Sequence, residues 1–154
     1  MKQKNKKKAI LLMSSRFPAT NPEAGKETSF KEKLEKGQKI HTIRKNREWW
    51  NEKAEKINSG DMALHLRSWT GLPYNSKQEE WAICDNVGIQ SIDIYFNNGW
   101  VATVDGKSIP IEEIAKNDGL GVEQFENWFF DSKSDPHFQE FHGVIIHFTK
   151  FRYK

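Results

Sequence analysis

"KGQKIHTIRKN", residues 36–46, crowds a lysine, a histidine, a threonine and an arginine directly behind a glycine. The preceding "FKEKLEK" reads as a short helix over residues 29–36. Ser29 and Glu32 have the spacing of a capping box at its start, and Gly37 takes the position after its last turn. Lys39, His41, Thr42 and Arg44 therefore sit where a helix hands over to another element, with Ile40 and Ile43 straddling them. In a regular strand, residues three apart point to opposite faces, so Lys39 and Thr42 meet only if the chain turns between them. The Gly37 stop makes such a turn plausible. Beyond it, "NREWWNEKAEKIN" resumes helical spacing over residues 47–58, with Trp50, Ala54 and Ile57 on one face.

Working outward, "AILLM" reads as a first strand near residues 9–13, and "MALHLRSW" alternates over 62–68, with Met62, Leu64 and Leu66 opposite His65 and Arg67. "SIDIYF" (91–96) and "WVATV" (100–104) flank the turn signal "NNG", and a last strand is expected near 143–151. Two short helices, near 111–117 and 122–130, break at Asp118-Gly119; Phe125, Trp128 and Phe129 in the second have core spacing. Sustained helix–strand alternation is missing, which argues against a doubly wound parallel sheet. The expectation is an α+β fold, with a small mixed or antiparallel sheet or barrel and peripheral helices.

Composition narrows the function classes. The length of 154 residues suits one domain, taken as residues 9–154. Basic residues exceed acidic ones by only three, but Lys2, Lys4, Lys6, Lys7 and Lys8 make residues 1–8 a basic tail, expected to be disordered and able to add sequence-independent phosphate contacts. "AILLM" is too short for a signal-peptide core, and no run is long enough to span a membrane. The single Cys84 rules out an internal disulfide and suits a reducing cytoplasm, the expected location. No phosphate-cradling glycine loop and no serine nucleophile elbow occur. The five histidines, His41, His65, His137, His142 and His147, do not have converging ligand spacing, so neither a metal nor another cofactor is expected.

"GQKIHTIR" resembles the G-x-K-x-x-T-x-R signature of the ASCH domain family, within the PUA-like superfamily. "SGDMALHLRSW" is similar to the strand that follows that motif, "GLPYNSKQ" to a loop of bacterial and phage members, and "NDGLGVEQFENWF" to the segment near the family's end, so the resemblance covers roughly residues 10–150. It implies a small PUA-like β-barrel with helices around it and a cleft that binds RNA or a modified nucleoside. It also implies, for some small members, an amidohydrolase that removes the acyl group of N4-acetylcytidine. On that reading Thr42 is the nucleophile, Lys39 activates it, and Asp118 stands where the family has a glutamate, with a reach shorter by one methylene.

The residue types make this chemistry intelligible. A threonine hydroxyl needs a neighbouring base, which Lys39 supplies only when partly neutral, and the planar fork of Arg44 suits an oxyanion, a phosphate or a base edge. His41 and Arg67 are further ligand candidates beside the motif and on the following strand. In "SWTGLPYNSKQ", Trp69 and Tyr74 form a candidate stacking platform, with Lys77 and Gln78 reaching toward the ligand. The plainer reading makes Lys39 and Arg44 surface charges, Thr42 a strand residue, Asp118 a helix cap and the aromatic loop the closure of a barrel end. Three functions follow: an RNA- or nucleoside-binding module, an amidohydrolase, or a scaffold without such a ligand.

Overall fold

The computed structural model describes residues 6–154, an α+β fold in which eight strands form two hydrogen-bonded sheets. The first sheet has the order β1-β3-β4: β1 (Lys7–Leu12) runs parallel to β3 (Met62–Trp69), and β4 (Gln78–Cys84) is antiparallel to β3. The second has the order β2-β8-β5-β6-β7, built from β2 (His41–Arg44), β5 (Gly88–Phe96), β6 (Trp100–Val104), β7 (Lys107–Ile109) and β8 (Glu140–His147), antiparallel throughout. The strands expected in one small sheet or barrel thus divide between two hydrogen-bonded sheets. Strand alternation reports which residues are buried but not which edges pair.

Four α-helices, α1 (Phe30–Glu35), α2 (Arg47–Asn58), α3 (Ile111–Asn117) and α4 (Val122–Phe129), lie close to the positions read from the sequence. The start of α1 is a correction. Ser29 adopts a left-handed backbone (φ 58°) and its side chain caps nothing; the Thr28 hydroxyl instead accepts from the Phe30 amide at 3.4 Å. β1 also begins earlier than expected. Lys7 and Lys8 pair with Met62 and Ala63, and Lys6 forms an ion pair with Asp85, so these lysines do not trail as a tail. Lys2 and Lys4 lie outside the described residues. No helix among the described residues is long and apolar enough to cross a membrane.

Two apolar clusters hold the layers together. One gathers Ile43, Ile92, Ile94, Ile114, Phe125 and Ile145; the other gathers Trp50, Ile57, Leu64, Leu66, Val144 and Ile146. Burying each large side chain contributes about 1.5–3 kcal/mol. The two clusters divide β8 by alternation, Ile145 going to one and Val144 and Ile146 to the other. The same alternation sorts β2: Ile43, opposite Ile145, joins the first side, while Thr42 and Arg44, opposite Ile146 and Val144, take the second.

Candidate functional site

The stretch 36–46 folds as a stop, a bridge and a short strand. Gly37 has the left-handed φ of 73° that ends α1, and the amides of Gln38 and Lys39 both donate to the Lys33 carbonyl, at 2.7 and 3.1 Å. Lys39 then makes an isolated antiparallel bridge to Asp118, and the Ile40 amide donates to the Asn117 carbonyl at 2.9 Å. The chain is thus pinned to the end of α3 before β2 begins. Gly119, with φ 79°, completes this junction, and a Cβ there would lie 3.2 Å from Lys39 Cβ.

Lys39 and Asp118 form a buried ion pair, 2 % and 5 % exposed. Lys39 Nζ donates to Asp118 Oδ1 at 3.1 Å and to the Asp118 carbonyl at 2.7 Å, and it lies 4.1 Å from the centroid of the Phe30 ring. Burial lowers the Lys39 pKa by more than the Asp118 charge raises it. For Asp118, burial acts upward, but the Lys39 charge and the His41 hydrogen bond together hold the carboxyl below its ordinary range. His41, fully buried, reaches the same Oδ1 through Nδ1 at 3.3 Å, and its Nε2 lies 2.7 Å from the Tyr153 hydroxyl.

Arg44 stands at the junction of the two sheets. Its Nη2 donates to the Leu12 carbonyl at 2.9 Å and contacts Met13 Sδ at 3.6 Å, so a β2 side chain bridges to the neighbourhood of the β1 edge. Among the described residues its Nε is sealed from solvent without a hydrogen-bond partner, and no carboxylate is in ion-pair contact with it. Burial lowers its pKa, against a smaller upward pull from Asp118. Thr42, 5 % exposed, shares this face of β2, and its hydroxyl forms no hydrogen bond with Lys39 or Asp118 among the described residues.

Leu12 and Met13, which receive Arg44, also line an open cleft of about 740 Å³. Ser14, Ser15, Arg16 and Glu27 line it too, as do Ser68 and Trp69 at the end of β3, Thr70, Gly71, Leu72 and Pro73 of the β3–β4 connection, and Glu79. A smaller hollow of about 190 Å³ shares Ser15, Glu27, Ser68 and Glu79 with the cleft and extends to Phe30. One phenylalanine thus lines the hollow and carries the Lys39 ammonium on its ring. Lys31 and Glu79, from α1 and β4, are ion-paired beside the same hollow.

Of the residues singled out from sequence, the structure brings Lys39, His41 and Asp118 into one cluster and sets Arg44 against the cleft wall. Trp69 lines the cleft, with Tyr74 at 5.2 Å between ring centroids and 86 % exposed. Arg67 and Gln78 pair with each other at 3.2 Å, Arg67 also meets Glu80, and neither is among the cleft-lining residues. Lys77 meets the loop through its carbonyl, which accepts from the Thr70 amide and hydroxyl at 2.8 Å. Phe30, Tyr153, Asn117 and Glu27 were not legible as site residues. Among the described residues no group of three or more histidine, cysteine or acidic side chains is arranged to hold a metal ion. Comparison of the chain with family models, curated proteins and solved structures found no match.

Proposed function

We propose that the cleft binds RNA or a modified nucleoside and that Arg44 is its principal polar anchor. The observation that carries this reading is the Arg44 guanidinium, which sits behind the cleft wall with its buried Nε unpartnered. A buried donor left unpaired costs roughly 1–3 kcal/mol; Arg44 is not itself among the cleft-lining residues, so an acceptor-bearing ligand recovers that cost by displacing the Leu12–Met13 wall. Charge supports the same reading: Lys39 and Arg44 are both buried basic groups, and the Asp118 carboxylate that contacts Lys39 also raises the Arg44 pKa from a distance. Trp69 is among the cleft-lining residues and supplies an aromatic side chain suited to a stacked base.

The G-x-K-x-x-T-x-R match supports membership of the ASCH family, and with it a PUA-like barrel whose two halves are the two sheets, meeting where Arg44 reaches Leu12. A cytoplasmic location and a bacterial or phage setting belong to this reading. The amidohydrolase alternative draws support from the burial-lowered pKa of Lys39 and its contact with Asp118, at the positions that the family resemblance assigns. Binding is favoured over catalysis because the Lys39 ammonium is held by Asp118 rather than by Thr42.

The test is equilibrium binding of cytidine, N4-acetylcytidine and a short single-stranded RNA at increasing salt. Wild-type protein is expected to bind, with RNA affinity falling as salt rises, and Arg44→Ala is expected to weaken binding of all three at least tenfold. Absence of binding at low salt, or an Arg44→Ala variant that binds as wild type, would overturn the reading and leave the scaffold.

A further inference from the structure

We propose that Tyr153 is a positioning residue of the site: through the His41 ring it orients the Asp118 carboxylate that restrains Lys39, making segment 148–154 a working part of the site. This rests on the reading that Lys39 and Asp118 belong to the ligand site.

The hydrogen-bond directions carry the argument. Lys39 can only donate and ionised Asp118 can only accept, so His41 Nδ1 must bear the hydrogen directed at Oδ1. A neutral His41 then leaves Nε2 as an acceptor, and the Tyr153 hydroxyl, 2.7 Å away, donates to it. The Asn117 side-chain amide donates to the same phenolic oxygen at 3.0 Å, which turns the hydroxyl hydrogen toward His41. Burial, the largest influence on the Tyr153 phenol, moves its pKa far up, so the hydroxyl remains a donor. In this arrangement each hydrogen bond from Asn117 through Tyr153 and His41 to Asp118 has one donor and one acceptor.

The segment carrying Tyr153 forms no helix or strand, yet it is fixed at several points. Gln90 Nε2 donates to the Tyr153 carbonyl and the Tyr153 amide donates back to Gln90 Oε1, both at 2.9 Å. Arg152 lies across Gly88 so closely that a Cβ at position 88 would be 2.0 Å from its Cζ. Phe151 packs edge-on against the Tyr153 ring at 4.9 Å. Simple coverage of the core would need the ring but not the hydroxyl, whereas Tyr153 is only 5 % exposed and its hydroxyl is met by two site-side partners.

The experiment reads the His41 tautomer in the ligand-free full chain by long-range proton–nitrogen correlation of ¹⁵N-histidine at pH 7. Wild type is expected to carry the hydrogen on Nδ1. Tyr153→Phe keeps the ring and removes the donor; Asp118 still holds the Nδ1 hydrogen, so the tautomer should persist while the unprotonated Nε2 resonance moves downfield, as for a ring nitrogen that has lost its hydrogen bond. It should also weaken N4-acetylcytidine binding about three- to tenfold. Phe151→Leu, which loses packing but not the hydroxyl, should leave the Nε2 resonance unchanged. If Tyr153→Phe does not fold, Asn117→Ala, which removes the group orienting the hydroxyl, gives the same readout. A wild-type His41 protonated on Nε2, or an unchanged Nε2 resonance in these variants, overturns the proposal. Failure of wild type to bind any nucleoside or RNA would sink the function reading instead, while the ligand-free Nε2 resonance still decides the role of Tyr153.

Discussion

Gly143 lies against Arg44 so closely that a Cβ at position 143 would sit 2.3 Å from the Arg44 carbonyl oxygen and 2.7 Å from the Phe141 ring. Strand β8, next to the edge strand β2, thus approaches it where the anchoring guanidinium leaves the chain. Gly143→Ala must displace the backbone of Arg44, because the nearest obstruction is main chain rather than a flexible side-chain end. The expected cost is about 1–3 kcal/mol, as for other overpacked positions. Urea denaturation should show the lowered midpoint, and nucleoside affinity should fall in the remaining folded protein.

Acid should act through His147. Burial first, then the charges of His41 and Arg152, push its pKa down to about 3, from an unfolded value of about 6.5. Between these values the unfolded chain binds the proton and the folded chain does not, so stability falls as pH drops from 6.5 toward 3. The slope is at most about 1.4 kcal/mol per pH unit. Above pH 6.5 the effect is absent. His147→Phe retains a ring at this position and should flatten the profile measured by urea denaturation between pH 6 and 4, whereas an unchanged profile would assign the acid sensitivity elsewhere.

Breaking the Lys39–Asp118 pair from either side should be more damaging than removing both charges. Asp118→Asn leaves a buried ammonium, and Lys39→Met leaves a buried carboxylate with only His41; each is expected to cost about 3–5 kcal/mol. The double variant should cost less than the sum of the two, which a double-mutant cycle measures directly. Additive losses would show that the contact is energetically idle.

Turnover separates the two chemical readings. With Lys39 Nζ held at 3.1 Å by Asp118 Oδ1 and at 2.7 Å by its carbonyl, Thr42 has no assembled base, and wild-type protein should bind N4-acetylcytidine without releasing cytidine. Chromatographic assay of released cytidine checks this. Conversion that disappears in Thr42→Ala and rises in Asp118→Glu would establish the amidohydrolase instead.

Local pattern determined much of the molecule. The spacing of Trp50, Ala54 and Ile57 located α2 because that periodicity records its buried side; the alternation of Met62, Leu64 and Leu66 located β3 but not its burial, since Ala63 and His65 on the other face are buried as well. The motif spacing singled out Lys39, Thr42 and Arg44, and the family resemblance added Asp118. Ser29 shows the limit of such patterns: its spacing to Glu32 suits a capping box, but its left-handed backbone directs the hydroxyl elsewhere. Tertiary structure alone decided that four residues, His41–Arg44, form an edge strand on β8, that the strands divide into two sheets, and that Thr42 and Lys39 do not join. It alone brought Tyr153 to His41, 112 positions apart, and Asp118 to Lys39, 79 positions apart. The bottom-up pattern of a short segment reflects its own burial; which distant group fills the facing position depends on how the layers pack, and the chemistry of this site lies in those distant pairs.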